Sequence, residues 1–156
     1  MSEHVNHPQH YQGENGIECI EVIRHYSCDI ANALKYLMRA GKKHEMGMPN
    51  VEKEIEDLQK ALWYIDDYKQ HAEKMHAIET KSELMQMFVE WETGHSIVDI
   101  CKGYKGNIAL AMCQLLQIGL IMGCTVYTMY RWEAILDDCK SCIQGRIEYI
   151  RGERKE

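Results

Sequence analysis

Five residues between positions 35 and 43 form the strongest candidate site in the sequence. Lys35 and Arg39 are four residues apart, so they share one face of a helix. Lys42 and Lys43 follow in the next loop, and Tyr36 adds an aromatic ring beside Lys35. Converging cations that include the fork of an arginine are typical of a phosphate site, and we expect all five residues to bind a ligand. The competing interpretation is helix capping, which explains Lys42 and Lys43 better than Lys35 in mid-helix.

The second candidate is a histidine loop, residues 7–11, that contains His7, Pro8, His10 and Tyr11. Imidazoles act as general acids or bases near neutral pH, and such rings also stack on and hydrogen-bond a base. We expect His7, His10 and Tyr11 to bind the ligand. His10 is the expected catalytic residue, which would orient or deprotonate an acceptor. Two histidines alone are a weak indication of a metal. The competing interpretation is an irregular N-terminus whose histidines have no function.

Two acidic pairs, Glu18 with Glu21 and Glu54 with Asp57, have the spacing that places both carboxylates on one helix face. In helical bundles, carboxylates from two helices hold Mg²⁺ against the phosphates of a substrate. The pairs therefore predict a Mg²⁺ site at these four residues, with Asp57 also catalytic. The competing interpretation is a solvated acidic face, since acids are common in the first turn of a helix.

Several other classes of function are disfavoured. The glycine-rich phosphate loops GxxxxGK[ST] and GxGxxG are absent. Cys139 and Cys142 form a lone CxxC, which is more typical of buried thiols than of zinc. The formal net charge of -6 makes nucleic acid an unlikely partner, and residues 92–112 lack the basic residues of a recognition helix.

The seven cysteines and the polar start of the chain, which has no signal peptide, predict a reducing cytoplasm. An apolar run at 108–126 is interrupted by glutamines and glycines. We expect this run to be a buried core helix, so no membrane partner is predicted.

Helical periodicity predicts an all-α, compact bundle of about seven helices. The predicted helices cover 17–26, 29–40, 51–77, a fourth that starts at a Thr80–Glu83 capping box, 96–101, 107–122 and 127–150. Asp29 is expected to cap the second helix, and Gly41 to follow its end in left-handed backbone. On the third helix we expect Trp63 to pack in the core and Tyr64 or Tyr68 to be available to a ligand.

The second half of the chain resembles a degenerate copy of the first. Residues 29–41 align on 107–119, but Cys113 and Gln117 replace Lys35 and Arg39. We therefore predict one compact unit of two related halves, with the site in 1–78 and a scaffold or oligomerisation half in 79–156. The competing interpretation is that any two amphipathic helices resemble each other. Apolar residues of the second half favour a homo-oligomer. They are Met85, Met122, Tyr127, Met129 and Tyr130.

Residues 5–68 carry several unusual motifs in order: His7-Pro-x-His10-Tyr11, Ala33-x-Lys35-Tyr36-x-x-Arg39-x-Gly41-Lys-Lys43, and then Glu56-Asp57 and Trp63-Tyr64. This stretch resembles the SaV-like phage family, long filed as a domain of unknown function. A coliphage relative of that family phosphorylates deoxynucleoside monophosphates without a Walker motif. The resemblance implies a phage-encoded, nucleotide-handling protein in the cytoplasm of an infected host cell. The second half of the chain departs from the short family pattern.

Three functions follow from these observations. The first is a nucleotide kinase that acts on (deoxy)nucleoside monophosphates. The second is a non-catalytic sponge, which sequesters a nucleotide messenger of host defence such as a cyclic nucleotide or an ADP-ribose derivative. The third is a Mg²⁺-dependent nucleoside triphosphate pyrophosphohydrolase, because the acidic pairs resemble the metal motif of all-helical MazG-type enzymes.

Overall fold

The protein is built from helices. The computed structural model describes residues 7–13, 16–79, 94–121 and 129–152. Six α-helices lie in these ranges, together with a 3-10 turn at Gln9–Tyr11: α1 (Cys19–Ile23), α2 (Cys28–Arg39), α3 (Asn50–Glu79), α4 (Ile97–Cys101), α5 (Gly106–Ile121) and α6 (Met129–Ile150). The described ranges contain no β-strand. The all-α prediction is therefore confirmed, with six helices rather than seven. The predicted helix that starts at Thr80 and Glu83 lies outside the described residues.

Local sequence signals account for the boundaries of α2. The helix ends at Arg39, and Gly41 has a φ of +76°, as expected for a glycine that follows a helix. The prediction that Asp29 caps α2 is wrong. The helix begins one residue earlier, with Ser27 at the N-cap position, so Asp29 lies inside the first turn. A carboxylate in the first turn still interacts favourably with the positive end of the helix dipole.

Both halves of the chain contribute to one hydrophobic core. α2 packs on α3 and α5 on α6, while contacts of α3 with α6 and of α2 with α5 join the two helix pairs. The fully buried residues at the centre of this core are Leu34, Leu37, Leu58, Ile65, Met112, Leu115, Leu116 and Leu136. A short, a medium and a long helix follow one another in each half, but the internal duplication itself stays a prediction.

The expectation for the aromatic residues of α3 is wrong at two positions. Trp63 is 60% exposed, whereas Tyr68 is fully buried. The core-facing residues of α3 are Leu58, Ala61, Ile65 and Tyr68, which recur every three or four positions. Trp63 falls between them on the opposite side of the helix.

Most of the apolar run at 108–126 lies in α5. Ile108, Ala111, Met112 and Leu115 are buried in the core, as predicted, while residues 122–126 of the run lie outside the described residues. Among the described residues, no helix has the length and apolar character needed to cross a bilayer.

Polar contacts tie the two halves together at their edges. Lys69 Nζ lies 2.7 Å from Asp137 Oδ1, and Lys140 pairs with Asp66, so both pairs join α3 to α6. The Tyr26 hydroxyl donates to the Leu116 carbonyl at 3.0 Å. Exposed ion pairs contribute about 0–1 kcal/mol each, so the shared core supplies most of the cohesion.

Candidate functional site

The centre of the predicted site is a buried ion pair between α2 and α3. Arg39 Nε and Nη2 donate to the two carboxylate oxygens of Asp57, at 3.1 and 2.7 Å. Its remaining nitrogen, Nη1, donates to the Tyr11 hydroxyl at 3.2 Å. Burial alone would lower the pKa of Arg39, but the hydrogen bonds and the charge interactions with Asp57 and Tyr11 together outweigh burial and raise it. Arg39 is therefore a fixed positive charge whose forked edge faces a carboxylate of the protein.

A second buried cation, Lys53, supports the same carboxylate. Lys53 is 2% exposed, and its Nζ lies 3.8 Å from Asp57 Oδ1, 2.7 Å from Glu56 and 3.2 Å from Glu45. Hydrogen bonds from Lys53 and Lys60 lower the pKa of Glu56 to about 2. Sequence reasoning missed this network, although Lys53, Glu56 and Lys60 have the spacing of helical ion pairs. Asp57 is fully buried between cations, so its geometry suits the positioning of Arg39 better than proton abstraction or Mg²⁺ binding.

The ring of Tyr36 holds the cations of α2 in place. Arg39 Cζ lies 4.4 Å and Lys35 Nζ 4.9 Å from the centre of this ring. Tyr64 stacks on Tyr36 with ring centres 5.8 Å apart, and Trp63 meets the Tyr64 ring edge-on at 4.9 Å. Cation–π contacts of this kind contribute about 0.5–2 kcal/mol and restrict the positions of the charged groups. Tyr36 therefore organises the site mainly by fixing the side chains around it.

Lys35 and Lys43 differ from the other cations of the site. Lys35 Nζ donates to the amide oxygen of Asn32, a neutral group. Within the described part of the chain, neither Lys35 nor Lys43 forms an ion pair, whereas Arg39 is matched by Asp57. We call Lys35, Arg39 and Lys43 the cationic face. Among the described residues, Asp57 neutralises Arg39, and the two lysines of this face have no carboxylate partner.

His10 lies near the cationic face, and the positive charges of that face affect its pKa. Burial lowers the pKa of His10, and the positive charges of Lys43 and Arg39 lower it further, against the opposing effect of Asp57. The imidazole is therefore neutral at pH 7, with one ring nitrogen free to accept a proton or a hydrogen bond. His10 also contacts the ring of Tyr11, with ring centres 4.4 Å apart. The structure thus brings His10, Tyr11 and the cationic face together.

The predicted acidic residues do not gather at one point. Glu18 Oε1 accepts from Gln12 Nε2 at 2.7 Å and lies 2.6 Å from His7 Nδ1, while Glu21 is exposed. On α3, Asp57 is bound by Arg39 of α2 and Glu54 is bound by Arg146 of α6. The described residues contain no group of three or more histidine, cysteine, aspartate or glutamate side chains arranged to hold a metal ion. The Mg²⁺ site stays a prediction, and the geometry places its four residues in three separate environments.

The second half contributes side chains that sequence reasoning assigned no role. Arg146 Nε and Nη2 both contact Glu54 Oε1, at 3.0 and 2.9 Å, and Lys105 Nζ lies 3.4 Å from the same atom. Glu54 in turn packs against Gly41, where a Cβ would lie 3.0 Å from Glu54 Oε2. Charged residues of the second half therefore contact Glu54, which lies beside the loop after α2. The assignment of a scaffold or oligomerisation role to the second half stays a prediction.

Lys42 is held by the second half in the same way. Its Nζ donates to the Gln12 carbonyl at 3.0 Å and to the Tyr104 hydroxyl at 3.4 Å, and it lies 4.4 Å from the centre of the Tyr104 ring. Lys42 therefore fastens the loop after α2 to both the N-terminal segment and the second half. Lys43, the next residue, lies near enough to His10 for its charge to lower the pKa of the imidazole.

The first half of the chain is similar to a known family of proteins. A family model described as a protein of unknown function (DUF3310) matches residues 5–66. This range contains every residue of the cationic face and the histidine loop. It covers less than half of the chain, and α4, α5 and α6 lie outside it.

The chain is also similar to a phage protein. The chain is 37% identical over 76 residues to the Gene 1.7 protein of Enterobacteria phage T3. The match covers 43% of this chain and 42% of the relative, so the chain spans about two fifths of the relative's length. No solved structure matches the chain. The predicted resemblance to a phage family of unknown function is confirmed for the first half, while neither description mentions kinase activity or a nucleotide.

Proposed function

We propose that this protein binds a phosphorylated nucleotide, with the phosphate on the cationic face between Lys35 and Lys43. The observation that carries the proposal is the pair of lysines, which lack an ion pair within the described residues and flank an arginine fixed by Asp57. The positive charges of this face repel one another, and this repulsion is a cost while no anion is bound. A bound phosphate would remove that cost through charge-assisted hydrogen bonds.

Neighbouring groups suit the same ligand. His10 is neutral at pH 7, because burial and the nearby Lys43 and Arg39 lower its pKa. The neutral imidazole can donate or accept one hydrogen bond without repelling Lys43 or Arg39. The Tyr11 hydroxyl is already oriented by Arg39 Nη1. Preorganised donors of this kind bind an anion with little loss of side-chain entropy.

Titration calorimetry with the full chain tests the proposal. The probes are the four deoxynucleoside monophosphates, ATP, cyclic AMP and ADP-ribose at one fixed ionic strength. We expect Lys35→Gln and Lys43→Gln each to raise the Kd of the bound probe about 10- to 100-fold, because each removes a hydrogen bond from a charged donor. Lys102→Gln is the matched control, since Lys102 is an exposed lysine outside the site. The proposal fails when the wild-type protein binds no probe, or when the control weakens binding as much as the site variants.

A second candidate function is phosphoryl transfer to a nucleoside monophosphate, and the neutral imidazole of His10 favours it. In this reaction an oxygen of the acceptor phosphate attacks the γ-phosphorus of ATP, and ADP leaves. A neutral base can take the proton of a monoanionic acceptor phosphate, while the fixed cations neutralise the phosphoryl group in transfer. We propose that Mg²⁺ enters with the triphosphate that donates the phosphoryl group, because Mg²⁺ is commonly bound through substrate phosphates. Incubation with ATP, Mg²⁺ and each deoxynucleoside monophosphate should produce a diphosphate that His10→Gln does not produce.

Sequestration of an immune nucleotide is the alternative outcome of the same experiment. Intact nucleotide, recovered after denaturation of a complex formed without turnover, would identify a sponge rather than a kinase. The pyrophosphohydrolase hypothesis has less support, because Glu54 and Asp57 already carry arginine partners.

We also propose a homo-oligomer, as the composition of the second half predicts. The apolar residues behind this prediction have side chains outside the described part of the chain. Native mass spectrometry of the purified protein tests it, and a monomer at micromolar concentration would contradict it.

A further inference from the structure

A cavity of about 270 Å³ opens between the histidine loop, α1 and α2. Its apolar wall is formed by Pro8, Cys19, Ile20 and Ile23. Burial raises the pKa of the Cys19 thiol to about 12, so the thiol is neutral and adds to the apolar surface. Ile20 is 51% exposed, although the residue before it is buried in the core. Clefts lined mainly by apolar side chains with a few polar groups are typical of ligand sites.

Three polar residues complete the lining of this cavity: Tyr11, Glu18 and Lys35. Lys35 belongs to the cationic face, and Tyr11 is hydrogen-bonded to Arg39 of that face. The cavity is therefore continuous with the proposed phosphate site. Glu18 is oriented by Gln12 and His7, which contact the same carboxylate oxygen at 2.7 and 2.6 Å.

Volume limits what can occupy this cavity. Sites that enclose a whole ligand typically measure roughly 300–1,000 Å³. A cavity of about 270 Å³ is smaller than this range, so it suits one planar ring system rather than a complete nucleotide. Apolar walls suit the faces of such a ring, while a few polar groups suit its edge.

Charge fixes the orientation of the occupant. The carboxylate of Glu18 repels a phosphate group, whereas Lys35 on the other part of the lining attracts one. A carboxylate accepts hydrogen bonds from ring N–H and amino groups. The phosphate end of a ligand therefore points out toward Lys35 and Lys43, and the ring end points in toward Glu18.

We infer that this cavity is the base site of the protein: it takes the nucleobase of the phosphorylated ligand, and Glu18 accepts a hydrogen bond from an N–H group on the edge of the base. The inference rests on the proposed function, since the phosphate is taken to lie on the cationic face. It gives Ile20 and Ile23 the role of packing on the ring, and it assigns His7 and Gln12 to positioning Glu18.

The test compares ligands with and without a base. Titration calorimetry measures the Kd of 2-deoxyribose 5-phosphate and of the four deoxynucleoside monophosphates for the full chain. Wild-type protein should bind at least one monophosphate ten or more times more tightly than the sugar phosphate. Ile20→Trp should abolish this difference, because the indole fills the cavity, while sugar phosphate binding changes less than twofold. Val98→Trp is the matched control, since Val98 is 74% exposed on α4 and lies outside the cavity lining.

Glu18→Gln provides a second test that does not depend on the cavity being filled. An amide offers N–H donors where the carboxylate only accepts, so the rank order of the four monophosphates should change. Unchanged rank order together with full base preference in Ile20→Trp overturns the inference while leaving the proposed function intact. A wild-type protein that binds the sugar phosphate as tightly as every monophosphate also overturns the inference alone. A wild-type protein that binds none of these probes overturns the proposed function and the base site with it.

Discussion

Replacing Arg146 by methionine tests whether the two halves of the chain cooperate at the site. Arg146 and Glu54 are both buried, and two nitrogens of the guanidinium contact one carboxylate oxygen at 3.0 and 2.9 Å. The variant leaves Glu54 as a buried charge, which typically costs about 3–5 kcal/mol. Lys105, at 3.4 Å but half exposed, compensates only in part. We therefore expect a loss of about 3 kcal/mol in the free energy of unfolding.

Urea denaturation at pH 7 measures this loss, and Arg151→Met is the matched control. Arg151 is exposed just beyond the end of α6, so its replacement should change stability by less than about 0.5 kcal/mol. The double variant Glu54→Gln/Arg146→Met removes both charges and should recover at least about 1 kcal/mol relative to Arg146→Met alone. A loss below about 1 kcal/mol in Arg146→Met, or a double variant less stable than the sum of the two single changes, would refute the buried pair.

Three further predictions concern the loop after α2, the ion-pair network and His10. Gly41→Ala should lower stability by about 1–3 kcal/mol in thermal unfolding, because the new Cβ adopts a φ of +76° and lies 3.0 Å from Glu54. The folded-state pKa of Glu56, about 2, is below its usual value of 4.5, so its ion pairs stabilise the protein above pH 4.5. That stability, about 1 kcal/mol for a partly exposed group, should disappear between pH 4.5 and 2 in wild type and be absent throughout in Glu56→Gln. Because the pKa of His10 lies below 6.5, nucleotide affinity should be constant from pH 8 to 7 and rise at lower pH, when the imidazole becomes cationic. Calorimetry should show no such rise in His10→Gln, and an identical rise in both proteins would contradict the role of His10.

Much of the fold follows from local patterns in the sequence. Apolar residues that recur every three or four positions indicate the helices, since this spacing matches the helical period. Gly41 marks the end of α2, because a glycine accepts left-handed backbone more readily than other residues do. The helical period also places Lys35 and Arg39, which are four residues apart, on one face of α2. Exact starting points are less well predicted, as Asp29 shows, because Ser27 and Asp29 are both suitable capping residues.

Tertiary structure alone decided the partner of each charged residue. The helical period gives the face on which Asp57 or Glu54 lies, but the position at which two helices cross determines which cation it meets. Asp57 meets Arg39 from α2, whereas Glu54, one turn earlier, meets Arg146 from the far end of the chain. Two residues that the sequence suggests as metal ligands therefore form buried ion pairs in the structure. Tertiary structure also shows that Lys35 and Lys43 form no ion pair within the described structure, whereas Arg39 does. No pattern in the sequence distinguishes these lysines from Arg39 and Lys42.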